Sequence, residues 1–328
     1  MLDYLLVFLS VVLLAAAFTV QKFYHKCTGG TTVSSTIFSM VSSICSIVIL
    51  ILRNTTAEGL NIEFSWYSFF NSLLKGICGF LYTIIGFKIL KRANVATYML
   101  FLMSGGMIVP AVWGWVFLGE PATVLRILGI IVMIIAIFLS NSNVKKLDKK
   151  LILMCVAVFM LNGFLSVFSK LHQVAGVEYN PVDTISYALI GCYCSFGLNF
   201  ALKLFISLKN RRLAKLSNVT KEVSNDTDSV ENSTQIEVSE NVASKKVGKL
   251  QRVFPILLVI LYSFIGTISN VLQLEGAKNL PASVLFPIIT GGTIALTGIF
   301  AFIFFREKPT KIEWFGIVLC IIGTCLFL

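Results

Sequence analysis

Few side chains in this sequence could do chemistry, and their scarcity makes each one informative. Lys75 stands in "NSLLKGICGF", well inside an apolar run over residues 66–88. An ammonium near mid-bilayer costs about 2.5–3.5 kcal/mol on insertion scales, so it faces a cavity or a partner rather than lipid. As a binding group it suits an anionic or carboxylate-bearing solute; as a structural group it would snorkel to an interface. Further along, "SNVLQLEGAK" carries Asn270, Gln273 and Glu275, all too polar for a lipid face. Asn270 and Gln273 share one side of a helix by their i,i+3 spacing. Glu275 suits either a proton-coupling carboxylate or a surface pair with Lys278. Tyr82, Thr83 and Asn162 are further candidates for a polar lining.

Other residues suit motion or attraction rather than contact with a solute. Lys22 and Lys170, each near a His (His25, His172), stand at the ends of apolar runs. There they would draw an anion to a mouth or anchor the helix at the interface. The pairs Gly105–Gly106 and Gly291–Gly292 allow close helix approach, and Pro110 and Pro287 remove backbone hydrogen bonds from their helices. Thr290, Thr293 and Thr297 form a stripe at i, i+3, i+7. Glu120 and Glu307 sit at short turns, where each is expected to cap the helix that follows.

The elements that must position these residues follow from composition. The chain has 328 residues, 56% hydrophobic and 13% charged, against about a quarter charged in a soluble domain. With a mean hydropathy of +0.86, so much apolar surface needs lipid as its solvent. Apolar runs at roughly 2–22, 33–52, 66–88, 95–117, 122–140, 151–170, 184–207, 253–275, 281–304 and 310–328 are each about 20 residues long. They must be helices, because lipid offers backbone groups no partner. The first run lacks the basic flank of a signal peptide and reads as a mature helix. The fold class is therefore an all-α integral membrane protein with ten transmembrane helices.

The net charge of +11 lies in short clusters between the runs, a loop pattern and not a nucleic-acid surface. The odd-numbered connections hold most of the basic residues, while the even ones hold only Arg53, Arg126, Lys170 and Lys278. The positive-inside rule places the odd loops in the cytoplasm and both termini outside. Residues 213–248 are polar, contain no aromatic residue and read as a disordered loop. Three sequons, at Asn218, Asn225 and Asn232, lie there, and a fourth is at Asn54. The eight Cys lie almost entirely in apolar runs, and neither a disulfide framework nor a metal site is expected. No cofactor motif is present.

The sequence also repeats itself. "NVATYMLFLMSGGMIVPAVWGWVFLGEPAT" (Asn94 to Thr123) and "LPASVLFPIITGGTIALTGIFAFIFFREKPT" (Leu280 to Thr310) align on their Gly-Gly pairs, Ala96 with Ala282 and Glu120 with Glu307. Lys22 pairs with Lys170. The repeat divides the chain into residues 1–141, a basic linker at 142–150, and 151–328. Each copy holds an odd number of helices, five, so the second enters the membrane from the opposite side, as in many secondary transporters. Lys75 aligns with Ile265 and Gln273 with Thr83, so the copies differ at polar positions.

These motifs resemble the EamA-type transporters of the drug/metabolite transporter superfamily over the whole chain except the polar loop. The resemblance implies two inverted five-helix repeats, with helices one to four and six to nine around a central cavity and five and ten peripheral. It also implies export of amino acids, drugs and other metabolites, or exchange of organic phosphates. Many members keep both termini in the cytoplasm; here the charges say the opposite. No nucleotide-binding loop is present, so energy would come from protons or exchange. The expected partners are a small-molecule solute and the bilayer of a bacterial cytoplasmic membrane, and the protein would be a monomer or homodimer. The competing class is a non-transporting membrane scaffold or regulatory subunit. An enzyme is not expected, since the two His stand at helix ends without a catalytic cluster.

Overall fold

Each apolar run forms a helix in the computed structural model, which describes residues 2–28, 32–57, 62–90, 95–140, 149–224, 249–306 and 310–327. In chain order the helices are α1 (Leu2–Thr28), α2 (Thr32–Ala57), α3 (Trp66–Leu90), α4 (Val95–Phe117), α5 (Val124–Ser140), α6 (Lys149–Gln173), α7 (Thr184–Ser224), α8 (Lys249–Asn279), α9 (Ala282–Phe305) and α10 (Lys311–Cys325). One 3₁₀ turn, Val177–Tyr179, links α6 to α7.

Among the described residues, seven helices are long and apolar enough to cross a membrane: α1, α2, α3, α6, α7, α8 and α9. All ten expected helices are present, these seven of them of spanning length and apolarity among the described residues. The apolar stretches of α4 and α5 are Phe101–Phe117 and Val124–Leu139, and α10 has 15 residues. At 1.5 Å per residue, α10 covers about 22 Å, short of a hydrocarbon core of about 30 Å. Helix α7 continues to Ser224, beyond the start of the polar segment at residue 213. Residues 225–248, with Asn225 and Asn232, and most of the 142–150 linker lie outside the described residues, as does Glu307.

Helix α1 packs on α8 and α9, and α6 packs on α3 and α4; α2 meets α7, α4 meets α9, and α5 meets α10. Large apolar side chains cover the outside, among them Phe8, Leu52, Phe70, Val116, Phe205, Phe264 and Phe315. In water such a surface would aggregate; in lipid it is the solvated face. The largest buried cluster joins α1, α4, α5 and α9 through Val7, Val11, Met107, Ala111, Met133 and Leu285.

The two Gly-Gly pairs are packing points. A Cβ on Gly105 would run into the backbone carbonyl of Phe159 on α6, and one on Gly106 would meet the Asn162 amide. In the second copy Gly291 faces Met133 of α5 and Thr324 of α10, and Gly292 faces Val11 of α1. Only at Gly105 is the neighbour another helix's backbone, so there the contact depends on the missing side chain. Pro110 and Pro287 are buried, and α4 and α9 run continuously through them.

Candidate functional site

Four helices line a partly open cavity of about 190 Å³. Its lining comes from α1 (Leu14, Ala17), α2 (Ser42, Ser46, Leu50), α7 (Cys192) and α8 (Tyr262, Ser263, Gly266, Thr267, Asn270). One wall is a ladder of hydroxyls between α2 and α8. Ser263 gives its proton to the Val259 carbonyl at 2.7 Å and accepts from Ser42 Oγ at 3.2 Å, and Thr267 donates to Ser46 Oγ at 2.8 Å. The i,i+4 spacing on both helices brings each pair to the same interface. Gly266 stands between them with nothing within 4 Å of the place a Cβ would take, so it keeps the cavity open.

Interhelical hydroxyl bonds in membranes contribute about 0.6 kcal/mol on average. We therefore expect Thr267→Val, which keeps the shape and removes the donor, to lower stability by that amount. A double-mutant cycle with Ser46→Ala, read by thermal melting in detergent, should return the same figure as coupling.

Two aromatic groups adjoin the lining. At one end Tyr262 packs on Phe38 at 4.7 Å between ring centroids, and Phe38 packs on Tyr24 at 4.6 Å. At the other, Leu50 of the lining belongs to the cluster around Tyr187, whose ring stacks on His172 at 3.6 Å and 16°. Hydrogen bonds hold this second group: Tyr187 Oη donates to Asn71 Oδ1 at 2.8 Å, His172 Nε2 meets Ser68 Oγ at 2.9 Å, and Val182 N donates to Ser68 Oγ at 3.1 Å.

Lys75 belongs to this end. Its Nζ lies 5.4 Å from the centroid of the Tyr187 ring, a cation–π contact, and it is within electrostatic range of the Cys192 thiol in the lining. The side chain is half-buried, neither sealed in packing nor out in lipid. Asn270 lies in the lining itself.

Several residues expected to line a cavity are elsewhere. Asn162 donates to the Leu102 carbonyl at 2.7 Å and clamps α6 to α4. Gln273 donates to Ser269 Oγ at 3.0 Å, and Ser269 donates to the Ser10 carbonyl at 2.8 Å, which stitches α8 to α1. Glu275 pairs with Lys278 at 2.9 Å with both side chains exposed, outside the cavity lining. Tyr82 packs against the cluster of Ile89, Tyr98 and Cys155. Thr83 is exposed and donates back to the Gly79 carbonyl at 2.7 Å. Thr293 is buried and Thr290 half-buried on α9, outside the lining.

The charges expected at the mouths divide. Lys22 stays at its helix end, 4.6 Å from the Phe305 ring, with Lys26 beside it at 4.7 Å. Lys170 does not sit at a mouth: it is 5% exposed and donates to the carbonyls of Ala277 (2.7 Å) and Leu280 (2.6 Å) at the end of α8. The last carbonyls of a helix lack intrahelical partners, and a buried ammonium needs acceptors, so each satisfies the other.

Glu120 completes this arrangement and corrects a second expectation. It caps α9, not the following helix α5. Its carboxylate accepts from Ala282 N (2.5 Å), Ser283 N (2.9 Å) and Ser283 Oγ (2.7 Å). Pro281 at the N-cap offers α9 no side-chain cap of its own, and a carboxylate suits the positive end of the helix dipole. Gly119 at φ 65° turns the chain, and Gly114 leaves room where a Cβ would collide with the Glu120 carboxylate. The α8–α9 turn is thus gripped twice, by Lys170 on its carbonyls and by Glu120 on its N–H groups.

Comparison with known proteins follows this geometry. Residues 241–328 match the EamA-like transporter family. This segment, α8 to α10, is EamA-like. The match takes in the α8 wall of the cavity, with Tyr262, Gly266, Thr267 and Asn270, and the α8–α9 turn. The seven long apolar helices support a multi-pass membrane protein, and the EamA-like match covers its residues 241–328. A solved structure titled only "Crystal structure of protein" superposes with a TM-score of 0.70 over 99% of this chain and 95% of that one, at 12% identity. That likeness concerns the fold alone. Among proteins of curated function, no sequence match was found.

Proposed function

We propose that the protein is a secondary transporter that carries a small organic solute through the α1–α2–α7–α8 cavity by alternating access. The observation that carries this reading is the cavity itself: polar lining from Ser42, Ser46, Ser263, Thr267 and Asn270 within an apolar bundle, with two aromatic groups adjoining it. Two inverted copies of five helices, 1–141 and 151–328, would supply two shapes that exchange roles. Reciprocal packing supports this: α1 sits on α8 and α9 as α6 sits on α3 and α4, while α2–α7, α4–α9 and α5–α10 pair like with like.

In this reading the Tyr187–His172 end and the α8–α9 turn held by Glu120 and Lys170 form the closed side. The Tyr24–Phe38–Tyr262 end yields first, because beyond its ring contacts it has a long hydrogen bond, Ser34 Oγ to Tyr24 Oη at 3.5 Å, where the other end has three at 2.8–3.1 Å. By the charge pattern the closed side faces outward and the odd loops face the cytoplasm of a bacterial cell. No Asp or Glu lines the cavity among the described residues, which favours exchange over carboxylate-based proton coupling.

The test is solute flux in proteoliposomes containing the purified full-length chain, run against a metabolite panel with and without a pH gradient. Saturable, protein-dependent release of a small solute is expected. A chain that moves no solute while its loss disturbs a partner protein is the scaffold, and the transporter reading then fails.

A further inference from the structure

We infer that the solute is a small organic anion whose carboxylate or phosphate is received by Lys75, with its neutral polar part against the α2–α8 hydroxyl ladder. This rests on the transporter reading above and adds the class of solute.

Among the described residues no carboxylate and no carbonyl lies within hydrogen-bond reach of the Lys75 ammonium; its contacts are the Tyr187 ring at 5.4 Å and the electrostatic influence of Cys192 and His172. The other deeply placed ammonium, Lys170, shows how this fold satisfies a structural lysine: two carbonyl oxygens at 2.6 and 2.7 Å. Lys75 has no such provision. Snorkelling to an interface is also unmet, since the side chain lies on the Tyr187 ring, which is 1% exposed. An ammonium held inside a bundle without an anion is costly and marks a substrate path.

The surroundings complete the description of the ligand. Tyr187 is fixed by Asn71 and by its stack on His172, so it holds the ammonium from one side; Lys75 itself stands outside the lining, beside Cys192, which is part of it. Across the cavity Ser46 Oγ accepts from Thr267, which leaves its own proton to donate, while Ser42 gives its proton to Ser263 and keeps a lone pair to accept. Asn270 adds an amide that both donates and accepts. One cation near Cys192 and a neutral, hydrogen-bonding far wall fit a molecule with a single anionic group and a polar, uncharged body. A cationic solute would meet the ammonium unscreened and be refused.

The experiment uses matched pairs that differ in charge but hardly in shape: succinamate against succinamide, and glycerol 3-phosphate against glycerol. Uptake into proteoliposomes and ligand-induced shifts in melting temperature are measured for the wild type, Lys75→Arg and Lys75→Met. Met suits the apolar run and should fold. A charge-assisted hydrogen bond corresponds to about a ten- to hundredfold preference. We expect the wild type to prefer an anionic member by that factor, Lys75→Arg to keep most of it, and Lys75→Met to lose it in both uptake and melting shift. The carboxylate and phosphate pairs tell the two anionic groups apart. Equal handling of charged and neutral members by the wild type overturns the inference, as does a preference that survives in Lys75→Met. Flux of neutral solutes alone overturns this inference and leaves the transporter reading standing; protein-dependent flux of none overturns both.

Discussion

Substituting Ala for Gly105 should destabilise the protein more than any other single methyl addition to the described glycines. The added Cβ would overlap the Phe159 carbonyl, a backbone group of α6 that no rotamer change can move. Relief requires α4 and α6 to separate, which also breaks the bond from Asn162 to the Leu102 carbonyl. Overpacking in a tight core costs about 1–3 kcal/mol where side chains can adjust; against fixed backbone we expect about 3 kcal/mol or more. Melting of the detergent-solubilised protein checks this, with Gly266→Ala as the control because its site has open space. Gly291→Ala should fall between, since its neighbours are the mobile ends of Met133 and Thr324. Equal stability of Gly105→Ala and Gly266→Ala would show that the α4–α6 contact is looser than described.

The second large effect belongs to Glu120. Glu120→Ala leaves two N–H groups of the first α9 turn and the Ser283 hydroxyl without their acceptor. It also takes a negative charge from near Lys170. An unsatisfied buried donor costs about 1–3 kcal/mol and a lost helix cap about 1 kcal/mol, so a loss of about 2–4 kcal/mol is expected. Glu120→Gln keeps an acceptor and should lose about half as much. Hydrogen exchange gives a local readout: peptides covering 280–288 should exchange faster in Glu120→Ala, while those from α2 should not change. Uniform acceleration across the chain would contradict a local clamp on the α8–α9 turn.

How far the sequence reaches is clear from these residues. The helices were legible because an apolar run in lipid has a single way to satisfy its backbone. Lys75 was legible because a charge inside such a run has no lipid-facing solution. Glu120 and Lys170 were visible as residues but misassigned, because each serves a helix end distant in sequence, at 282–283 and 277–280. Loop proximity suggested α5 for Glu120, and nothing local points to α9.

The hydroxyl ladder escaped notice for a different reason. Ser and Thr can bond to their own helix, as Ser263 also does to the Val259 carbonyl at 2.7 Å, so they carry no penalty that would single them out. The i,i+4 pairs Ser42/Ser46 and Ser263/Thr267 were the available signal. Asn162 and Gln273 are the reverse case: polar enough to attract attention, yet their amides are spent on helix-to-helix bonds.

The most direct test of the central claim fills the cavity from within. Gly266 lines it and has no neighbour within 4 Å of its Cβ position, so Gly266→Ala should fold and transport, whereas Gly266→Phe should fold and obstruct. Release of a transported solute from proteoliposomes is measured for the wild type and both variants, with melting temperatures alongside. The account predicts near-normal flux for Gly266→Ala and at least about a tenfold loss for Gly266→Phe, a barrier increase of about 1.4 kcal/mol, at unchanged stability. Undiminished flux through a stable Gly266→Phe protein would contradict it, because the solute would then cross by another route.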